Sequence, residues 1–300
     1  MKRSNTLSFL VILVSLQISC NNAKDSKQAP AEKINIENNG VKIDYTDTGT
    51  GVGDTVLLFV HGWCINKTYW TEQEKFFKDR YRIVSIDLPG FGQSGKNRKD
   101  WTTENYGKDV DAVMKQLDLK HVILIGHSMS GDIVLEAAAN APERVIGLIG
   151  VDNFKNVGAV QDSAGKEAVR HAMDTMRKDF TRVVGDYFKQ YLFSKNTDTL
   201  VKTRILNDVF HCDSMIAVEA IAPNDFNETT KLKAANKKLY LINSDNYPTD
   251  TTKLVADKIP YEILYTPGTG HYSMIETPGK FNALLEQIIE DIKKGKNNID

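Results

Sequence analysis

The chain has 300 residues, a formal net charge of -1 and 41% hydrophobic residues, which is the composition of a globular protein with one large domain or a domain plus an insertion. The nearly balanced charge argues against nucleic acid as a main partner, because phosphate binding needs a basic face. Six scattered histidines, without an HExxH motif or a paired CxxC motif, give no signature of a metal site.

Residues 1–20 have the pattern of an export signal rather than of folded structure. A Lys-Arg pair is followed by LSFLVILVSLQI, which is too short for a membrane span, then by Cys20 and a polar segment. This resembles a bacterial lipoprotein signal, except that Gln17 stands where such signals usually carry leucine. The resemblance implies lipidation of Cys20, a flexible tether over residues 21–32, and an exported protein anchored at a membrane of the cell envelope. An ordinary secretory signal, which would leave the protein soluble in the periplasm or secreted, is the alternative.

From residue 33 onward, strand and helix patterns alternate. KINIE and VKIDYTD are alternating segments separated by the turn signal NNG, so they predict a hairpin. Four mainly apolar runs follow: TVLLFV, RIVSID, HVILIG and VIGLIGVD. Apolar residues on both faces predict central strands of a parallel sheet, and helical patterns separate these runs. The order predicts a doubly wound, mostly parallel α/β sheet.

The alternation breaks after Asp152. Residues 154–230 are helical in pattern and contain no apolar run typical of a buried strand. KLYLIN and YEILYT then bring the predicted sheet to eight strands, and a last helix follows. We therefore predict an α/β core over residues 33–153 and 231–300. A helical lid over residues 154–230 is predicted after the sixth strand, at the carboxyl edge of the sheet where ligand sites form.

The segment GHSMSG, after the strand HVILI, contains two candidate nucleophiles. A serine hydroxyl attacks well only when a base takes its proton, and the G-x-S-x-G motif presents it on a sharp strand-to-helix turn. Ser128 has small neighbours at that spacing, directly after the strand. A frame centred on Ser130 starts too late and puts Asp132 where a small residue is needed. The spacing therefore favours Ser128.

Together, FVHGW, DLPGFGQS, GHSMSG and GTGHYSMIETP resemble the α/β-hydrolase superfamily, in its lid-bearing, serine esterase-like branch. The resemblance covers most of the chain and implies Ser128 as the nucleophile, His271 as the general base, and the backbone N–H groups of Trp63 and Met129 as the oxyanion hole. The position of Met129 at a predicted helix N-terminus suits this role, because free N–H groups there favour negative charge. Ser130 departs from the family pattern, which usually has glycine at this position.

The acid of the implied triad has two candidates, because the expected chain order is Ser, then Asp or Glu, then His. Asp245 follows the seventh predicted strand, where the family usually places its acid, although the common spacing falls on Asn246. Asp152 ends the sixth predicted strand, a place that some members use. An aspartate there is also frequent without a catalytic role. The sequence favours Asp245 and leaves Asp152 as the alternative.

These features predict a cofactor-free serine hydrolase that cleaves a small carboxylic ester, or a lactone or thioester, through an acyl-enzyme. Carbon–carbon bond hydrolysis or haloperoxidase-type activity with the same triad is one alternative, and a non-enzymatic small-ligand-binding protein on the same fold is another. Dehalogenases and epoxide hydrolases on this fold use an aspartate nucleophile, so the serine argues against both. His61, His127 and Asp87 are expected to brace their turns. Cys64 and Cys212 are expected to be free thiols, and a disulfide between them in an oxidising compartment is the alternative.

Overall fold

The computed structural model describes residues 34–49, 51, 53–159 and 162–297. Its strands are β1 (Ile36–Asn38), β2 (Val41–Ile43), β3 (Tyr45–Asp47), β4 (Val56–Val60), β5 (Arg82–Ile86), β6 (Val122–His127), β7 (Val145–Val151), β8 (Leu239–Ser244) and β9 (Tyr261–Thr266). Its α-helices are α1 (Thr71–Phe77), α2 (Thr103–Gln116), α3 (Ser130–Asn140), α4 (Ser163–Lys178), α5 (Phe180–Tyr187), α6 (Thr199–His211), α7 (Ser214–Ala220), α8 (Glu228–Ala235), α9 (Thr252–Ala256), α10 (Ser273–Glu276) and α11 (Pro278–Asn297). A 3₁₀ turn covers Lys67–Trp70 and a π-helical turn covers Phe188–Leu192.

One sheet of seven strands organises the described chain, in the order β3-β5-β4-β6-β7-β8-β9. Strand β3 pairs antiparallel with β5, and all other neighbours are parallel. Strands β4, β6 and β8 are buried at every residue, which explains why their sequences are apolar without alternation. The carboxyl ends of these parallel strands meet at one edge, where ligand sites form in such sheets.

The predicted count of eight strands in the sheet is wrong for the described residues. The segment VKIDYTD, predicted as one strand, divides at Asp44 into β2 and β3. Strand β2 pairs with β1 in a separate two-stranded hairpin, whereas β3 joins the edge of the main sheet. At this division Asp44 makes two polar contacts. Its carboxylate accepts from Lys67 Nζ at 2.6 Å, and its carbonyl accepts from Asp87 N–H at 2.8 Å.

Between β7 and β8, the described chain contains the helices α4 to α8 and the π-helical turn, joined by turns and loops. Because one strand fewer than predicted precedes it in the sheet, this insertion follows the fifth strand of the sheet in chain order and not the sixth. Among the hydrogen bonds that join it to the core, Trp63 Nε1–H donates to the Ala217 carbonyl at 2.7 Å, and the Tyr69 hydroxyl donates to Asp208 Oδ2 at 2.7 Å.

The predicted export signal over residues 1–20, with Cys20, and the tether over residues 21–32 lie outside the described residues. Among the residues that the structure does describe, no helix combines the length and the apolar composition that crossing a bilayer requires.

Candidate active site

Ser128 lies at the sharp turn between β6 and α3. Its φ of +54° is in the left-handed region, which is strained for a residue with a side chain. The turn is held on both sides, because Ser128 N–H donates to the Val151 carbonyl and Gly131 N–H donates to the Ser128 carbonyl, both at 2.9 Å. Space is tight, since a Cβ at Gly126 would lie 2.3 Å from the Ser130 carbonyl oxygen. These contacts explain the small residues around this serine.

His271 lies in the loop after β9, and its Nδ1–H donates to Asp152 Oδ2. The other carboxylate oxygen of Asp152 accepts from the N–H and the hydroxyl of Ser244, both at 2.8 Å, and pairs with Lys155 Nζ at 2.9 Å. Burial alone would raise the pKa of Asp152, but the attraction of His271 and Lys155 outweighs it and holds this pKa below its usual value. The carboxylate is therefore charged and fixed, with one oxygen facing the imidazole.

Asp245, which the sequence favoured as the acid, is placed elsewhere. It is exposed, and its Oδ1 accepts from the backbone N–H of Gly268 at 2.9 Å. No hydrogen bond or ion pair of the described chain joins Asp245 to His271. The reason is the register at the end of β8, where Ser244 occupies the place beside Asp152 and the chain then turns away. The structure brings Asp152, and not Asp245, to the imidazole.

His127, next to the serine, supports the imidazole loop. Its Nε2–H donates to the His271 carbonyl at 2.8 Å, and the two rings lie with their centroids 4.7 Å apart. Burial, with help from the nearby His271, lowers the pKa of His127 to about 3, so the ring is neutral. Its buried Nδ1 has no hydrogen-bond partner in the described chain, and a Cβ at Gly62 would lie 2.4 Å from it. His127 therefore braces its turn, as expected.

Two backbone N–H groups near the serine are free of protein partners. Within the described residues, no hydrogen bond engages the N–H of Trp63 or of Met129. Met129 directly precedes α3, where the helix dipole favours negative charge. The indole of Trp63 is fixed by its bond to the insertion and packs against Phe180 and Phe188. Two free donors beside a serine are what binding of an oxyanion requires.

A cavity of about 320 Å³ borders His271 and Asp152. The insertion contributes Tyr187 and Tyr191 to its wall, and the loop after β8 contributes Tyr247. A second cavity of about 350 Å³ shares Tyr191 and Tyr247 with the first. Polar and aromatic groups therefore surround an open space on the imidazole side of the site.

Asp87 braces the turn after β5, as expected. Its carboxylate accepts from the N–H of Lys67 at 2.7 Å, from Lys67 Nζ at 2.6 Å and from Gln93 N–H at 2.8 Å. A Cβ at Gly92 would lie 2.2 Å from this carboxylate, so only glycine fits there. Cys64 and Cys212 are free thiols, also as expected.

The sequence analysis did not identify three residues that hold the carboxylates of this region: Lys155 and Ser244 at Asp152, and Lys67 at Asp87. The spacing of Lys155, three positions after Asp152, was the one available signal for the first. Ser244 reaches Asp152 only through the parallel pairing of β7 with β8, which no local pattern displays. Within the described ranges, no group of three or more His, Cys, Asp or Glu side chains is arranged to hold a metal ion.

Comparison with known sequences gives a match to a family model for the alpha/beta hydrolase fold over residues 55–192. YugF of Bacillus subtilis (strain 168), described as an uncharacterized hydrolase, is 34% identical over 116 residues, which is 38% of this chain and 41% of YugF. The aligned part spans less than half the length of each curated relative that it matches above 30% identity.

Solved structures match over more of the chain. A thermophilic esterase from Thermogutta terrifontis (malate bound) has a TM-score of 0.73 at 22% identity, covering 87% of this chain and 99% of the esterase. A bromoperoxidase from Bacillus anthracis has a TM-score of 0.69 at 19% identity, covering 83% of this chain and 96% of the peroxidase. At these identities the likeness shows a shared fold, and function must be argued from the site.

Proposed function

We propose that this chain, which has the fold of the α/β-hydrolase superfamily, is a cofactor-free serine hydrolase that cleaves a small carboxylic ester through an acyl-enzyme. The observation that carries the proposal is the hydrogen bond of His271 to the charged Asp152. His127, which precedes the strained Ser128, binds the carbonyl of the same His271. A hydrolase name among its relatives and an esterase among its structural neighbours agree with this choice.

In the proposed reaction, Ser128 Oγ attacks the ester carbonyl while His271 takes its proton, and the N–H groups of Trp63 and Met129 hold the oxyanion. His271 then protonates the departing alcohol, which leaves an acyl-enzyme, and a water molecule activated by His271 hydrolyses this intermediate. Asp152 keeps the imidazole in the tautomer with the proton on Nδ1. Each oxyanion donor is expected to contribute about 2.7–4 kcal/mol to lowering the barrier.

We assign the acid to Asp152 in place of Asp245. The assignment rests on two observations: the carboxylate of Asp152 contacts His271, and Ser244 and Lys155 hold that carboxylate in place. Asp245 is exposed, and no described hydrogen bond or ion pair joins its carboxylate to His271, Ser244 or Lys155.

We also propose that residues 154–230 act as a lid. Its helices contribute Tyr187 and Tyr191 to the cavity wall beside His271, and it holds Trp63 through the carbonyl of Ala217. A cover of this kind excludes water and shapes the substrate site.

A fluorophosphonate probe tests the proposed function, because it forms a covalent bond with an activated serine. We expect labelling of the wild-type protein, no labelling of Ser128→Ala, and hydrolysis of p-nitrophenyl acetate by the wild type alone. Folded wild-type protein that neither labels nor turns over this ester would refute the hydrolase and favour the small-ligand-binding alternative.

For the export signal, the proposal is that Cys20 carries a lipid anchor and holds the protein at a membrane of the cell envelope. Expression of the full chain in a bacterial host with labelled palmitate should give incorporation that Cys20→Ala abolishes, with release of the protein from the membrane fraction. Membrane retention of Cys20→Ala would refute the anchor, and a soluble wild type would favour an ordinary secretory signal.

A further inference from the structure

Ser130, the residue that departs from the family pattern, makes a hydrogen bond that glycine could not make. It is the first residue of α3, is fully buried, and its Oγ–H donates to the backbone carbonyl of His61. Across the described residues, this is the only hydrogen bond that the His61 carbonyl accepts. The bond joins the helix that follows the nucleophile directly to the loop after β4, which carries Trp63.

The ring of His61 extends this restraint to the next peptide group. Its Nε2 accepts from Leu88 N–H at 2.9 Å, and its Nδ1–H donates to the Gly62 carbonyl at 2.7 Å. Because one ring nitrogen accepts, the other must carry the proton, and the tautomer is fixed. The Gly62 carbonyl and the Trp63 N–H belong to one planar peptide group, so holding the oxygen fixes the direction of the N–H.

The loop has no room to adjust against the nucleophile turn. A Cβ at Gly62 would lie 2.4 Å from His127 Nδ1 and 3.1 Å from Ser128 Cβ. The peptide that carries the Trp63 N–H is therefore held from two sides, by packing against the turn and by the hydrogen bonds that start at Ser130.

We propose that Ser130 is a positioning residue for the oxyanion hole. Its hydroxyl holds the His61 carbonyl and, through the His61 ring, aims the Trp63 N–H at the oxygen that becomes negative in the transition state. This inference rests on the proposed serine hydrolase function. Deleting an oxyanion donor outright costs about 10²–10³ in kcat, whereas loss of the Ser130 hydroxyl leaves the donor present but loosely aimed, so we expect a loss of about tenfold.

The test compares Ser130→Ala and Ser130→Gly with the wild type on p-nitrophenyl acetate and its thionoester, in which sulfur replaces the carbonyl oxygen. Sulfur is larger and accepts hydrogen bonds weakly, so a well-aimed oxyanion hole favours the oxygen ester. We expect both variants to lose about tenfold in kcat on the oxygen ester and much less on the thionoester. The preference for oxygen over sulfur therefore falls. A merely structural role would lower both rates together.

Ser85→Ala is the matched control, because it deletes an equally buried hydroxyl that has no hydrogen-bond partner among the described residues. We expect it to leave both rates and their ratio unchanged. Folded Ser130 variants that keep the oxygen-to-sulfur preference within about twofold of the wild type would overturn the positioning role. Failure of the wild type to react with the fluorophosphonate probe would refute the proposed function itself, so the two failures are distinguishable.

Discussion

Asp152→Asn should abolish most activity because of the way its carboxylate is held. Three donors, the N–H and hydroxyl of Ser244 and the ammonium of Lys155, surround Oδ1. In the variant, the amide oxygen must face these donors, so the amide NH₂ faces His271 Nδ1. This forces the imidazole proton onto Nε2, where the ring can no longer accept a proton from Ser128. Loss of the correct tautomer costs about 10⁴ in kcat, or roughly 5 kcal/mol in the barrier.

The matched variant is Asp245→Asn, in which the amide oxygen can still accept from Gly268 N–H. We expect its kcat to stay within about twofold of the wild type. The assay is steady-state hydrolysis of p-nitrophenyl acetate at neutral pH, with thermal unfolding of each variant to establish that it is folded. If Asp245→Asn were inactive and Asp152→Asn retained wild-type kcat, the assignment of the acid from the contact with the imidazole would be wrong.

Three further predictions concern the loops and α3. Gly62→Ala should lower kcat at least about tenfold, because its Cβ would lie 2.4 Å from a buried histidine nitrogen. Gly279→Ala, whose Cβ would have no described atom within 4 Å, should leave kcat unchanged. Equal kcat in the two variants would contradict this. Lys67→Met should lower the free energy of unfolding in urea by about 3–5 kcal/mol, because it leaves the buried Asp87 without its cation; a change near zero would show that the pair is dispensable. Burial and a neighbouring carboxyl from α8 raise the pKa of Asp132 to about 8, above its unfolded value, so the stability that protonation provides should be lost as the pH rises through about 8. Asp132→Asn should therefore make the melting temperature depend less on pH between acid and alkaline conditions. An unchanged dependence of the melting temperature on pH would contradict this.

The sequence predicted the local parts of this fold well. Apolar runs identified the buried parallel strands, and the strand-turn-helix at GHSMSG could be read from the spacing of small residues alone. Both depend on neighbours along the chain, which a sequence displays directly. The helical character of the insertion followed in the same way.

The parts that depend on register could not be predicted. Whether Asp152 or Asp245 reaches the imidazole depends on how β7 pairs with β8. The segment VKIDYTD divides at Asp44, whose carboxylate pairs with the distant Lys67. The partner of Ser130 is 69 positions away, so no local pattern predicts that its hydroxyl donates a hydrogen bond. Each of these features is a long-range polar contact, for which hydrophobic periodicity carries no signal.

The position of the proposed acid has a consequence for the loop after β8. If Asp152, directly after β7, is the acid as proposed, the loop after β8 need not supply one. That loop instead contributes Asn246 and Tyr247 to the cavity beside the imidazole. Lys155 connects the proposed acid to the cavity wall, because its ammonium pairs with Asp152 and lies 5.8 Å from the centre of the Tyr247 ring. In the proposed mechanism, placing the acid one strand earlier leaves the later loop available for contacts with the departing alcohol, to which His271 would give a proton.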